Sequence, residues 1–183
     1  YHLLRMSTLG LARGMGTEWD GVRIGVLGPV RPRRPPHRGR NEDSVVLDVT
    51  LTGTFRMTRA MLPHMERRGS GAIVNNASVL GWRAQKEQAH YAAAKAGVMA
   101  LTRCSALEAA ESGVRINAVS PSIALHDFLK KASSEELLAK LADREAFGRP
   151  AEVWEVANVM IFLASDYASY MVGEVLSVSS QQA

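Results

Sequence analysis

The stretch from Gly71 to Lys95, GAIVNNASVLGWRAQKEQAHYAAAK, constrains this chain more than any other. Ala72-Ile73-Val74 is a short apolar run that reads as a buried strand. Ser78 follows just past its end. Tyr91 and Lys95 come next, i and i+4 on a helix rising through Ala92, Ala93, Ala94 and Ala96, so they share one face. A hydroxyl at the carboxyl end of a strand, facing a Tyr/Lys pair on the next helix, suits acid/base work on a carbonyl in an open α/β sheet.

The chemistry depends on the tyrosine. A free phenol has a pKa of about 10 and is a poor base at neutral pH. An ammonium about 4 Å away, at an effective dielectric near 20, favours the phenolate by roughly 4 kcal/mol. That predicts a Tyr91 brought down toward neutrality, where proton exchange is efficient. Ser78 is expected to hydrogen-bond the substrate oxygen and hold it against the Tyr91 hydroxyl. A lone Y-x-x-x-K matches many ordinary amphipathic helices, so the strand, the serine and the sequence beyond carry the weight.

That sequence resembles the active-site portion of the short-chain dehydrogenases/reductases. The resemblance runs from about Val45 to Ser179 and includes Asn75-Asn76-Ala77-Ser78, Tyr91-Ala92-Ala93-Ala94-Lys95, Val114 to Pro121 and Phe162-Leu163-Ala164-Ser165-Asp166. The wording NNASVLGWRAQ, HYAAAKAGVMALTRCSA and AVSPSIA is similar to actinobacterial reductases of steroid-ring degradation, which act on CoA thioesters. The resemblance implies Ser78, Tyr91 and Lys95 as catalytic residues. Thr50 stands near the place where many relatives use an Asn to hold a proton-relay water. It implies NAD or NADP as cofactor, met by Asn76, Tyr91, Lys95 and the Pro121–Ala124 turn, where Ser122 replaces the glycine usual in relatives. Trp82, Gln85 and His90 are expected to line the substrate entrance, opposite a variable lid from Leu125 to Phe147. A small carbonyl substrate, a CoA thioester among the candidates, and a homo-oligomer are further expectations.

The chain changes character near Asn41. Residues 1–40 carry eight arginines against Glu18 and Asp20, and four of the seven prolines. Gly21 to Leu27 reads as one strand. Gly28 to Arg40, GPVRPRRPPHRGR, is expected to be extended or irregular, and more a solvated linker than a nucleic-acid arm, because no aromatic interleaving accompanies the charge. Gly10, Gly14 and Gly16 match the family's pyrophosphate-binding spacing. The poor strand before them and the missing helix after them argue against that role.

From Asp43 the period is helical through Leu47, Leu51, Phe55, Thr58, Leu62 and Met65, with Pro63 a candidate kink and Gly69-Ser70-Gly71 a stop. The Tyr91 helix continues to Leu107, and Cys104 within it reads as packed. Val114 to Val119 is a buried strand. Ser133 and Glu136 form a capping-box pattern opening a short helix in the lid, where Lys130 and Lys131 read as a solvated face. Pro150 or Ala151 begins the next helix, with Val153, Val156, Met160 and Leu163 inward, and Glu174 to Val178 is a last strand.

The fold expectation is α/β, the later part of a doubly wound parallel sheet of Rossmann type. Residues 1–40 form a basic Pro/Arg-rich segment and 41–183 the catalytic portion. The first mononucleotide-binding half is largely missing, since 44 residues cannot supply three strands and three helices. The absence of a membrane-length apolar run, the lack of a signal pattern and the single cysteine favour a cytoplasmic protein without membrane or metal. Three functions stay open: an NAD(P)-dependent oxidoreductase on a carbonyl or secondary alcohol, a truncated relative unable to bind cofactor, and an interaction module.

Overall fold

The computed structural model describes residues 25–27, 42–126, 129 and 134–180. Four strands form one parallel sheet in the order β1 (Gly25–Leu27), β2 (Gly71–Asn76), β3 (Val114–Pro121) and β4 (Val175–Val178). All neighbours run parallel, with Ile73 opposite Gly25 and Ile116, and Ala118 opposite Val175. Parallel strands need crossovers, and helices supply them. Between β1 and β2 run α1 (Glu42–Leu47), a π-helical turn (Asp48–Thr52) and α2 (Gly53–Glu66). A 3₁₀ turn (Val79–Gly81) and α3 (Ala89–Ala110) join β2 to β3. The β3–β4 connection holds α4 (Glu135–Ala142) and α5 (Val153–Ala164).

The strands are apolar on both faces because each face carries a helix layer. Ile73, Val114 and Ile116 pack with Met65, Ala106 and Ala109 of α2 and α3. The alternate residues Ala72, Val74 and Val119 pack with Val156, Met160 and Leu163 of α5. Period-two alternation along β2 and β3 therefore assigns each side chain to one layer. Strands β2, β3 and β4 end at the same edge, where Asn76 lies opposite Val119 and Pro121 opposite Val178.

Several expectations need correction. Pro63 neither ends nor breaks α2, which continues to Glu66. The irregularity lies earlier, in the π turn, where the Gly53 amide reaches back to the Asp48 carbonyl. Val153 is exposed because it opens α5 rather than lying a turn inside it. That helix begins at Val153, not at Pro150 or Ala151, with Glu152 as N-cap and the Glu155 carboxylate accepting the Glu152 amide at 2.7 Å. Ser134 caps α4, its hydroxyl accepting the Leu137 amide at 3.3 Å; Ser133, Lys130 and Lys131 lie outside the described residues. Cys104 is exposed, on the outer face of α3. Gly10, Gly14, Gly16 and the rest of 1–40 apart from β1 also lie outside the described residues. Among the described residues, no helix is long and apolar enough to cross a membrane.

Candidate active site

Ser78, Tyr91 and Lys95 come together at the carboxyl edge of the sheet. Ser78 has extended backbone and starts the 3₁₀ turn after β2, its Oγ accepting the Leu80 amide at 3.3 Å. This abrupt stop of the strand leaves the hydroxyl turned toward α3, where it hydrogen-bonds Tyr91. One turn along α3, Lys95 is 4 % exposed. Its Nζ lies over the Tyr91 ring, 5.6 Å from the centroid, and donates to the Asn76 carbonyl at 2.7 Å. The lysine thus ties the last residue of β2 to the helix that carries the tyrosine.

The electrostatics differ from the expectation for Tyr91. Burial raises its pKa above 10.0, with the Ser78 hydrogen bond opposing but not cancelling that rise. Burial also lowers Lys95 from 10.5 to about 8. Taking a phenol and an ammonium out of water disfavours both ions. Lys95 still carries its ammonium at neutral pH, but the cost of burying a phenolate is the larger effect on Tyr91. At neutral pH Tyr91 is therefore a loaded phenol, a proton donor.

The other expected residues surround this trio. Asn76 is half-buried and its side-chain Oδ1 is buried without a partner. Ser120, missed in the sequence reading, is fully buried with an unpartnered Oγ, one residue before Pro121. Its signal was a hydroxyl in the last inward place of an apolar strand. Asn75 also has an unpartnered Oδ1, while its Nδ2 donates to Thr102 on α3 at 2.9 Å. By strand parity Asn75 and Ser120 lie on the α3 face and Asn76 on the α5 face, so these orphaned atoms flank both sides of the strand ends. Pro121 ends β3, and Ala124 bridges to Ala151 beyond it.

Thr50 is buried in the π turn beside α3. Leu51 next to it sits where a Cβ on Gly97 would be, 2.8 Å away, so a bare backbone in α3 admits the π turn two residues from Lys95. The Thr50 carbonyl accepts the Thr54 hydroxyl at 2.7 Å and the Gly53 amide. Trp82 is 48 % exposed; Gln85 is half-buried in the loop leading to α3 and His90 half-buried in the first turn of that helix. Among the described residues, no group of three or more His, Cys, Asp or Glu is placed to hold a metal ion.

A parallel α/β sheet with a serine just past one strand and a Tyr/Lys pair on the following helix defines a dehydrogenase-like class of fold and site. A family model described as Enoyl-(Acyl carrier protein) reductase matches residues 37–180. The chain belongs to the short-chain dehydrogenase/reductase family. It is 70 % identical, over 74 % of its length and 52 % of the relative's, to a Mycobacterium tuberculosis (5R,7aS)-5-hydroxy-7a-methyl-1-oxo-2,3,5,6,7,7a-hexahydro-1H-indene-carboxyl-CoA reductase. It is 40 % identical to the 3-oxoacyl-[acyl-carrier-protein] reductase FabG of Vibrio cholerae, over 88 % of this chain and 67 % of that one. A 7α-hydroxysteroid dehydrogenase solved with NADH and 7-oxo glycochenodeoxycholic acid superposes with a TM-score of 0.74 at 25 % identity, over 87 % of this chain and 62 % of that one. The chain spans about half the length of the first curated relatives it matches.

Proposed function

We propose that this chain is the catalytic portion of an NAD(P)-dependent oxidoreductase that reduces a ring ketone borne on a CoA thioester. The observation that carries the reading is the Ser78–Tyr91 hydrogen bond with Lys95 set over the ring and on the Asn76 carbonyl. Ser78 hydrogen-bonds the substrate oxygen and Tyr91 donates the proton to it. The neutral phenol favours the reductive direction, because a proton must be in place before the oxygen gains negative charge. Lys95 orients both, and Thr50 is a candidate for holding a water behind it.

A nicotinamide cofactor supplies the hydride when bound. Asn76, Tyr91, Lys95 and the turn at 121–124 are the residues that would hold its nicotinamide end, and the orphaned Asn76 oxygen supports the fit. Trp82, Gln85 and His90 line the entrance, and the half-exposed Trp82 indole offers a face for an alicyclic ring. The identity to the mycobacterial reductase supports a fused-ring substrate. A homo-oligomer in the cytoplasm completes the reading; exposed Leu107, Trp154, Phe162, Tyr167 and Tyr170 support the association.

The test places residues 41–183 behind the first half of the mycobacterial relative and compares kcat/KM for a fused-ring ketone CoA thioester with acetoacetyl-CoA. A preference for the fused ring of tenfold or more is expected. Preference for the short chain moves the reading to a 3-oxoacyl reductase.

A further inference from the structure

The segment between β3 and β4 leaves the sheet at its carboxyl edge, beside the trio, and returns through α4. Its returning limb is held in an unusual way. Helix α4 has no buried residue. Among the described residues 134–150, the one that is buried is an acid, Glu145, at 5 % exposure. Leu138, Leu141 and Ala142 are only partly buried, so hydrophobic burial fixes this limb weakly.

Glu145 instead grips the exit of β4. Its Oε2 accepts both the Ser180 amide at 3.0 Å and the Ser180 hydroxyl at 2.7 Å. The Ala146 amide donates to the Ser180 carbonyl at 2.9 Å. Ser180 lies two residues past β4, and the Val178 carbonyl there accepts the Ser122 amide at 3.1 Å. The other foot of the segment is closed by backbone alone: Leu125 donates to Ala151 at 3.1 Å and Ala151 to Ile123 at 2.8 Å. A carboxylate accepting two donors at one oxygen makes charge-assisted bonds, stronger than the neutral backbone pairs nearby. Its other oxygen, Oε1, is buried without a partner. A buried acid with a spare oxygen is a poor choice for stability alone, and an apolar residue would hold the limb with less desolvation.

We propose that Glu145 is a positioning residue: by clasping Ser180 it sets the returning limb of the 125–147 segment at the end of the sheet where Ser78, Tyr91 and Lys95 lie. That the limb covers substrate rests on the functional reading above; that Glu145 sets its place does not.

The test is residue-resolved amide exchange on the 183-residue chain and its Glu145→Ala, Glu145→Gln and Ser180→Ala variants. Glu145→Ala and Ser180→Ala are expected to speed exchange at Ala146 and across α4 at least tenfold, leaving the Ala118 and Val119 sheet amides unchanged. Glu145→Gln keeps an acceptor for Ser180 and is expected to restore rates to within threefold. Unchanged exchange at Ala146 in Glu145→Ala, or a uniform rise that includes the sheet, overturns the proposal; so does a Glu145→Gln variant no better than Glu145→Ala. A fused-ring ketone CoA thioester titrated into the same samples separates the two claims. Binding weakened in Glu145→Ala and recovered in Glu145→Gln supports the positioning role. If the unaltered chain binds none while the exchange pattern holds, the substrate reading fails and the clasp stands.

Discussion

Burial decides the behaviour of the two ionisable residues at the centre of the site, and it acts on them in opposite directions. Tyr91 is held above its ordinary pKa and Lys95 below, to about 8. Tyr91→Phe, in a chain completed by a relative's first half, removes the donated proton and keeps the ring. Turnover is expected to fall by about 10³-fold, within the usual range for losing an acid/base group, with cofactor affinity unchanged. Substantial remaining activity would assign the proton to another group. Lys95 gives a second prediction from its own titration. Below pH 8 both folded and unfolded chains carry the ammonium, and the folded one bears its desolvation. Between pH 8 and 10.5 the folded lysine is neutral while the unfolded one still binds a proton, so stability rises with pH across that window. Lys95→Met should therefore stabilise the chain at pH 7, by at most roughly 3 kcal/mol, and the gain should shrink by pH 10. Urea midpoints of both proteins at the two pH values check it; an equal gain at both would show that charge burial is not the cause.

The elements depend on polar contacts that periodicity does not reveal. Arg115, the second residue of β3, sends its guanidinium to the carbonyls of Leu163, Ala164, Ser165 and Ala168, closing the carboxyl end of α5. These are carbonyls a helix leaves unsatisfied, and a cation there also meets the negative end of the dipole. Arg115→Met should cost about 2 kcal/mol in a urea titration, and Arg115→Lys should recover less than half, because an ammonium cannot span four acceptors. The turn after α3 makes a different demand. Gly113 has φ of +71°, and a Cβ there would lie 2.6 Å from the Gly69 carbonyl oxygen. Gly69 itself has φ of +66° with open space around it. Gly69→Ala should lose about 1 kcal/mol from backbone strain alone, and Gly113→Ala at least about twice that. Equal losses in thermal unfolding would mean that the turn relaxes freely. The strands, α3 and the Ser78/Tyr91/Lys95 trio were legible in the sequence because each follows a period or a motif. Arg115 and Glu145 were not, since a charged residue's partners here lie 48 to 53 and 35 positions away. The π turn at Asp48–Thr52 was hidden for a related reason: it exists to seat Leu51 against Gly97, a tertiary contact. The phenolate expected at Tyr91 failed because spacing shows the lysine but not the depth of burial.

At the scale of the whole chain, the described residues supply one end of a dinucleotide site. Asn76, Tyr91, Lys95, Ser120 and the turn after Pro121 gather at the carboxyl edge of the sheet, where a nicotinamide would lie. In folds of this kind most dinucleotide affinity comes from elsewhere, from a glycine-rich turn and a helix N-terminus that hold the pyrophosphate and from the strands that hold the adenosine. Gly10, Gly14 and Gly16 lie outside the described residues, and no helical period follows them in the sequence. Contacts to the nicotinamide end alone do not offset the ordering of a long flexible ligand. Calorimetry on these 183 residues by themselves should accordingly find no NADH or NADPH binding tighter than about 1 mM. The same residues joined to a relative's first half should bind one of the two at least a hundredfold more tightly. Micromolar affinity in the 183-residue chain would mean that residues outside the described ones, Gly10, Gly14 and Gly16 first among them, do hold the phosphate, and that the nicotinamide end is not the chain's only hold on the cofactor.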